Sequence, residues 1–159
     1  MRKMLRNYLL IIASILFHEI TYSQVPDFSG TWKLNFQKSK LDTTDDLKGL
    51  TGQIFVIKQN DDKFKLKIYH QFGTKTRKIG FSMRLDGKTR LVKLIFKGKL
   101  EETEKGLKAS MWRNNYQNIV DYSFGATPNE LVADEVFKGR PKDHHSVWVF
   151  DKVLNVNSK

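Results

Sequence analysis

The sequence predicts an all-β fold, an antiparallel up-and-down β-barrel of about 8–9 strands. Three observations carry that expectation. Short segments in which apolar and polar residues alternate recur at roughly ten-residue spacing. Turn signals such as Asn60-Asp61-Asp62, Asp86-Gly87 and Gly139-Arg140-Pro141 separate them. Beyond the first two dozen residues no segment sustains an apolar pattern of period 3.6, so helices are not called for. A meander of short strands leaves two edges open to aggregation, and rolling it shut removes them.

The first strand follows Asp27-Phe28-Ser29-Gly30, where Gly30 allows a tight turn. Trp32, Leu34 and Phe36 then alternate with Thr31, Lys33 and Asn35, the period-2 pattern of a half-buried strand. Gln37 to Leu50 is a polar link carrying Asp42, Asp45 and Asp46, long enough for a short helix or a lid. Thr51 to Gln59 and Lys63 to Gln71 are the second and third strands. The third sets Phe64, Leu66 and Ile68 against Lys63, Lys65 and Lys67. Thr76 to Leu85 places Arg77, Ile79, Phe81, Met83 and Leu85 on one face, and Asp86-Gly87 signals a two-residue hairpin.

Thr89 to Lys97 is the fifth strand, with Arg90, Val92, Leu94 and Phe96 on one side, and Gly98 to Gly106 reads as a charged connection. Leu107 to Asn114 shows Leu107, Ala109, Met111 and Arg113. Tyr116 to Phe124 shows Val120, Tyr122 and Phe124. In Glu130 to Lys138, Leu131, Ala133, Glu135 and Phe137 oppose Val132, Asp134 and Val136, so one carboxylate must face inward. His145 to Val153 is the ninth strand, and the tail from Asn155 is polar.

Residues 1–23 stand apart. Arg2, Lys3 and Arg6 precede an apolar run from Tyr8 to Phe17, and Thr21-Tyr22-Ser23 offers the small residues that a signal peptidase reads. His18 and Glu19 stop the run well short of the ~20 apolar residues that a membrane span needs. The expectation is a signal peptide over residues 1–23 and one barrel domain over 24–159, exported to the periplasm or the extracellular space. That mature domain would have no transmembrane segment. The chain has no cysteine, so neither a disulfide framework nor a lipidated cysteine is available.

The net charge is +11, and losing Arg2, Lys3, Arg6 and Glu19 with the leader brings it to +9. Such a field favours an anionic surface, polysaccharide or carboxylate ligand, but solvated lysine-rich strand faces that protect sheet edges are the preferred account of it. Export argues against nucleic acid.

Phe28-Ser29-Gly30-Thr31-Trp32-Lys33-Leu34 resembles the Gly-x-Trp opening of the calycins, the lipocalins and fatty-acid-binding proteins. The chain is similar in particular to a group of exported bacterial lipocalin-like domains. The shared features are Gly30 to Asn35 followed by Lys38-Ser39, the central Asp86-Gly87, and the closing Val149-Phe150-Asp151-Lys152. Val120-Asp121-Tyr122 partly matches the family's Thr-Asp-Tyr motif, and Arg140 and Lys152 are candidates for its arginine near the last strand. The resemblance implies a barrel around a small apolar or amphipathic ligand.

Counting strands up and down collects Trp32, Arg90 and Arg113 at one end, as an indole plug with guanidinium cover. The opposite end receives the link, the Gly98 to Gly106 connection and Arg77, which meets water or the acidic head of a ligand. The ligand set is Phe64, Leu66, Arg77, Phe81, Met83, Met111 and Tyr122. No constellation for nucleophilic or acid–base catalysis is spaced in the chain, and His70, His144 and His145 lack metal-ligand spacing. The expectation is a monomeric binding module with no cofactor, no metal and no enzymatic activity. The rival is a filled barrel acting through its basic exterior on a protein, polysaccharide or membrane surface.

Overall fold

The computed structural model describes residues 25–42, 47–139 and 142–154. The expected leader, Asp45 and Asp46 of the link, Arg140 and the tail from Asn155 lie outside the described residues. Ten strands form: β1 (Gly30–Leu34), β2 (Gly52–Asn60), β3 (Lys63–Phe72), β4 (Lys75–Arg84), β5 (Arg90–Lys93), β6 (Phe96–Thr103), β7 (Gly106–Arg113), β8 (Tyr116–Phe124), β9 (Glu130–Lys138) and β10 (His144–Lys152). They make one antiparallel sheet in the order β4-β3-β2-β1-β10-β9-β8-β7-β6-β5. The first strand therefore pairs with the last, and the meander rolls into a nearly closed up-and-down barrel.

The motifs at the two ends of the domain meet at that closure. Trp32 lies opposite Lys152 and Leu34 opposite Phe150 in the β1–β10 register. The Asn35 amide donates to Asp151 at 2.7 Å and its carbonyl accepts from the Gln37 and Lys38 N–H groups. Lys38 bonds Glu130 and lies 3.6 Å from Asp151. The Ser39 hydroxyl donates to the Asn35 carbonyl and accepts from the Val149 N–H. Glu130 is held below the usual carboxylate range chiefly by its bond from Lys38 and next by the Ala126 N–H. Asn35, Lys38, Ser39 and the Val149 to Lys152 stretch thus fasten the two ends of the sheet together.

Trp32 plugs one end. Its indole is completely buried, its N–H donates to the Phe28 carbonyl at 2.9 Å, and Phe124 packs on Phe28 and Trp32. Gly106 fits beside this layer because a Cβ there would strike the Tyr122 carbonyl and the Phe28 ring. The cation over the indole is Lys152, with Nζ 5.2 Å from the ring. Arg90 sits at the same end but forks onto Asp86 in solvent. Arg113 is exposed at the far end. The expected Arg90–Arg113 cover over Trp32 is therefore not formed.

The reason is one miscounted strand. The predicted fifth strand breaks at Leu94-Ile95, and the charged stretch after it forms β6, with Gly98 and Leu100 buried along its inner face. That extra hairpin reverses every later strand. It sends Arg113 to the open mouth and brings the β6–β7 turn to the plugged end. Asp86-Gly87 is likewise no hairpin: β4 and β5 share no backbone ladder. The Asp86 carboxylate accepts from the Lys88 N–H and Arg90, and the Gly87 N–H donates to the Leu100 carbonyl of β6. Side chains fill the resulting seam: a Cβ on Gly98 would lie 2.6 Å from Val92 and 3.0 Å from Met83.

Burying an indole removes ~150–250 Å² of surface from water. Trp32→Ala is expected to lower the unfolding free energy by about 3–5 kcal/mol in urea titrations. Arg90→Ala and Arg113→Ala should leave the midpoint near that of the unaltered protein.

Candidate functional site

Above the plugged end, inward side chains pack into a filled layer in which Phe64 and Leu66 are fully buried. Phe64 packs against Tyr122 and Phe81 in tilted contacts, at ring separations of 5.4 and 6.2 Å. Those two rings form part of the boundary between the filled layer and a cavity of about 330 Å³. The cavity lies toward the mouth that carries Leu47 of the link, the start of β4 and the β5–β6 turn.

Of the residues predicted to meet a ligand, Arg77, Phe81, Met111 and Tyr122 line this cavity. Phe64, Leu66 and Met83 do not; they belong to the packed layer below it and to the seam. Alternation identified the inward face correctly, but not the depth at which packing gives way to space. Depth depends on which end is plugged, and that is set by strands distant in sequence.

One wall is polar in a way the apolar pattern hides. On β2, Gln53 is 3% exposed, and on β3 His70 is 6% exposed. Both line the cavity. Among the described residues the Gln53 side-chain carbonyl and both His70 ring nitrogens have no hydrogen-bond partner. Arg77 lies opposite His70 in the β3–β4 register, exposed at the rim, with its guanidinium 5.5 Å from the Phe72 ring. Burial, and secondarily the Arg77 charge, lower the His70 pKa to about 4. The imidazole is therefore neutral near pH 7.

Across the barrel, Glu135 is the inward carboxylate of β9. Neutral donors hold it, not the inward arginine a sealed core would call for: the Asn118 amide at 2.5 Å and the Trp148 indole N–H at 2.8 Å. Tyr122 is buried beside it, and burial, with the Glu135 charge, pushes its phenol well above the ordinary range, so it remains protonated. The neighbouring Asp134 turns outward to His145 at 2.6 Å, while His144 stacks on Phe137 at 4.6 Å. The adjacent carboxylates diverge, and so do the adjacent histidines.

Sequence reasoning singled out neither Gln53, Asn118 nor Trp148 for the cavity and treated His70 only as a metal ligand to be weighed. The signal was available: Gln53 shares the inward face of Phe55 and Ile57, and His70 that of Leu66 and Ile68. A polar residue on the apolar face of a strand needs a partner inside.

No protein-family model and no curated protein matches this chain. Solved structures do match. The wild-type fluorescent protein UnaG superposes with a TM-score of 0.56 at 17% identity, over 79% of this chain and 97% of that one. Fatty-acid-binding protein 1 of Echinococcus granulosus gives 0.55 at 18%, over 80% and 98%. Zebrafish ileal bile acid-binding protein complexed with cholic acid gives 0.54 at 19%, over 79% and 98%. The fold is that of the calycin, fatty-acid-binding barrels. At such identities the likeness is one of architecture, and the expectation of a calycin fold holds at that level.

The low pKa of His70 has a measurable consequence. The unfolded chain takes up a proton near pH 6.5, whereas the folded one resists until about pH 4. Stability present above pH 6.5 is therefore lost as the pH falls through that window. The loss is expected to be of order 2–3 kcal/mol. His70→Gln should flatten this part of the profile, read as the difference between variant and parent in urea titrations from pH 7 to 4.

Proposed function

We propose that this protein binds a small amphipathic molecule, its apolar body in the cavity and an anionic head at Gln53, His70 and Arg77. The observation that carries this reading is that Gln53 and His70 line the cavity while the Gln53 carbonyl and both His70 ring nitrogens are buried without partners. An unpaired buried polar group costs about 1–3 kcal/mol, and a ligand head supplies what the chain does not. Arg77 sets the sign of that head. Phe81, Met111 and Tyr122 give the apolar wall, and the volume lies at the small end of ligand pockets, about 300–1,000 Å³. The fold of the fatty-acid-binding and bile acid-binding proteins supports the class of ligand.

The role is binding and not catalysis. The leader-like residues 1–23 support action outside the cytoplasm, in the periplasm or beyond. Neutral His70 donates or accepts one hydrogen bond to the head, and Arg77 at the rim retains it by charge.

Native mass spectrometry of the full chain should show a co-purified molecule. A fluorescent fatty acid should bind with one-to-one stoichiometry, and its methyl ester more weakly. Arg77→Gln and His70→Phe should each weaken the acid by ~10-fold, equivalent to about 1.4 kcal/mol, and barely affect the ester. Equal affinity for acid and ester, or no binding of either alongside an empty purified protein, would sink the proposal.

A further inference from the structure

The turn between β5 and β6 is Leu94-Ile95, and Leu94 is 97% exposed while Ile95 is 50% exposed. Turn tips ordinarily carry Gly, Asn, Asp or Pro, for conformational reasons or for hydrogen bonding. Two large aliphatic residues there gain nothing for the fold. They stand at the open mouth, beside Lys93, which lines the cavity, and Lys97, which is exposed. Across the seam, β4 presents Ile79, itself 41% exposed and also lining the cavity. The apolar tip is thus continuous with the cavity entrance.

The plugged end carries both signs, with Asp61, Asp62, Glu104, Glu130 and Asp151 standing among Lys63, Arg84, Lys105 and Lys152. The mouth carries Lys75, Arg77, Lys93 and Lys97, and among the described residues none of these four is in a salt bridge. Asp42 is engaged by Lys142, and Asp143 accepts from the Gly139 N–H. A narrow aliphatic tip ringed by unpaired cations is too small for a protein interface, which needs roughly 1,000 Å². It matches the chemistry of a lipid interface, where apolar groups enter the acyl boundary and cations meet headgroup phosphates.

We propose that the open mouth docks on an anionic lipid surface, with Leu94 and Ile95 inserted and Lys75, Arg77, Lys93 and Lys97 on the headgroups. Docking rests on the surface alone. Its corollary rests on the binding reading above: an amphipathic ligand passes between bilayer and cavity without crossing water.

The test is co-sedimentation of the full chain with phosphatidylcholine vesicles, with and without phosphatidylglycerol. Binding is expected to the anionic vesicles only, and to weaken with salt. Leu94→Ser/Ile95→Ser and Lys93→Glu/Lys97→Glu should each reduce it by ~10-fold or more. Leu94→Ala/Ile95→Ala should give a smaller loss at an unchanged unfolding midpoint. Reversal of Lys63, Lys65 and Lys67 on the outer face of β3 should change it little. Absence of vesicle binding overturns the proposal, as does binding indifferent to the tip or abolished only by the β3 reversal. Fatty-acid binding in vesicle-free solution, measured on the same variants, reports separately on the cavity.

Discussion

Everything in this structure depends on β1 pairing with β10. Without it the chain is two separate sheets, β1–β4 and β5–β10, with no ladder between them. With it, Asn35 and Asp151, 116 residues apart, are hydrogen-bonded, and the sheet acquires an inside. Contacts of such sequence separation carry a large closure entropy, so they must be rewarded by burial elsewhere. The reward is the layer of Phe28, Trp32, Phe124 and Phe150. The motifs at the chain's two extremes are thus halves of one fastening.

Closure also makes the two ends unlike. At one, an indole, two phenylalanines and a lysine leave no room. At the other, the polar residues Gln53, His70 and Glu135 line a cavity. Each has a different status: Glu135 is satisfied by Asn118 and Trp148, whereas His70 and the Gln53 carbonyl are not. The chain thereby gives up stability at the wall of its cavity formed by β2 and β3.

Much of this was legible beforehand. Alternation in the strands bearing Arg77, Phe81, Met111 and Tyr122 depends only on local period, and those side chains do face the cavity. What failed was parity. Gly98 to Gly106 carries so many charges that it reads as a connection, although Gly98 and Leu100 face inward. Leu94-Ile95 reads as strand because both residues are aliphatic, and it is a turn. One hidden hairpin was enough to move Arg113 from the plug to the mouth. The depths of Phe64, Leu66 and Met83 were equally out of reach, because depth is a property of the assembled barrel.

The seam between β4 and β5 differs in kind from every other junction in the wall. Elsewhere neighbouring strands are laced by backbone hydrogen bonds, whose loss is costly inside a protein. Here Met83 and Val92 meet over Gly98 through dispersion contacts that fade gradually with distance. The barrel thus has an expansion joint, a line along which its girth can grow without a single ladder bond breaking.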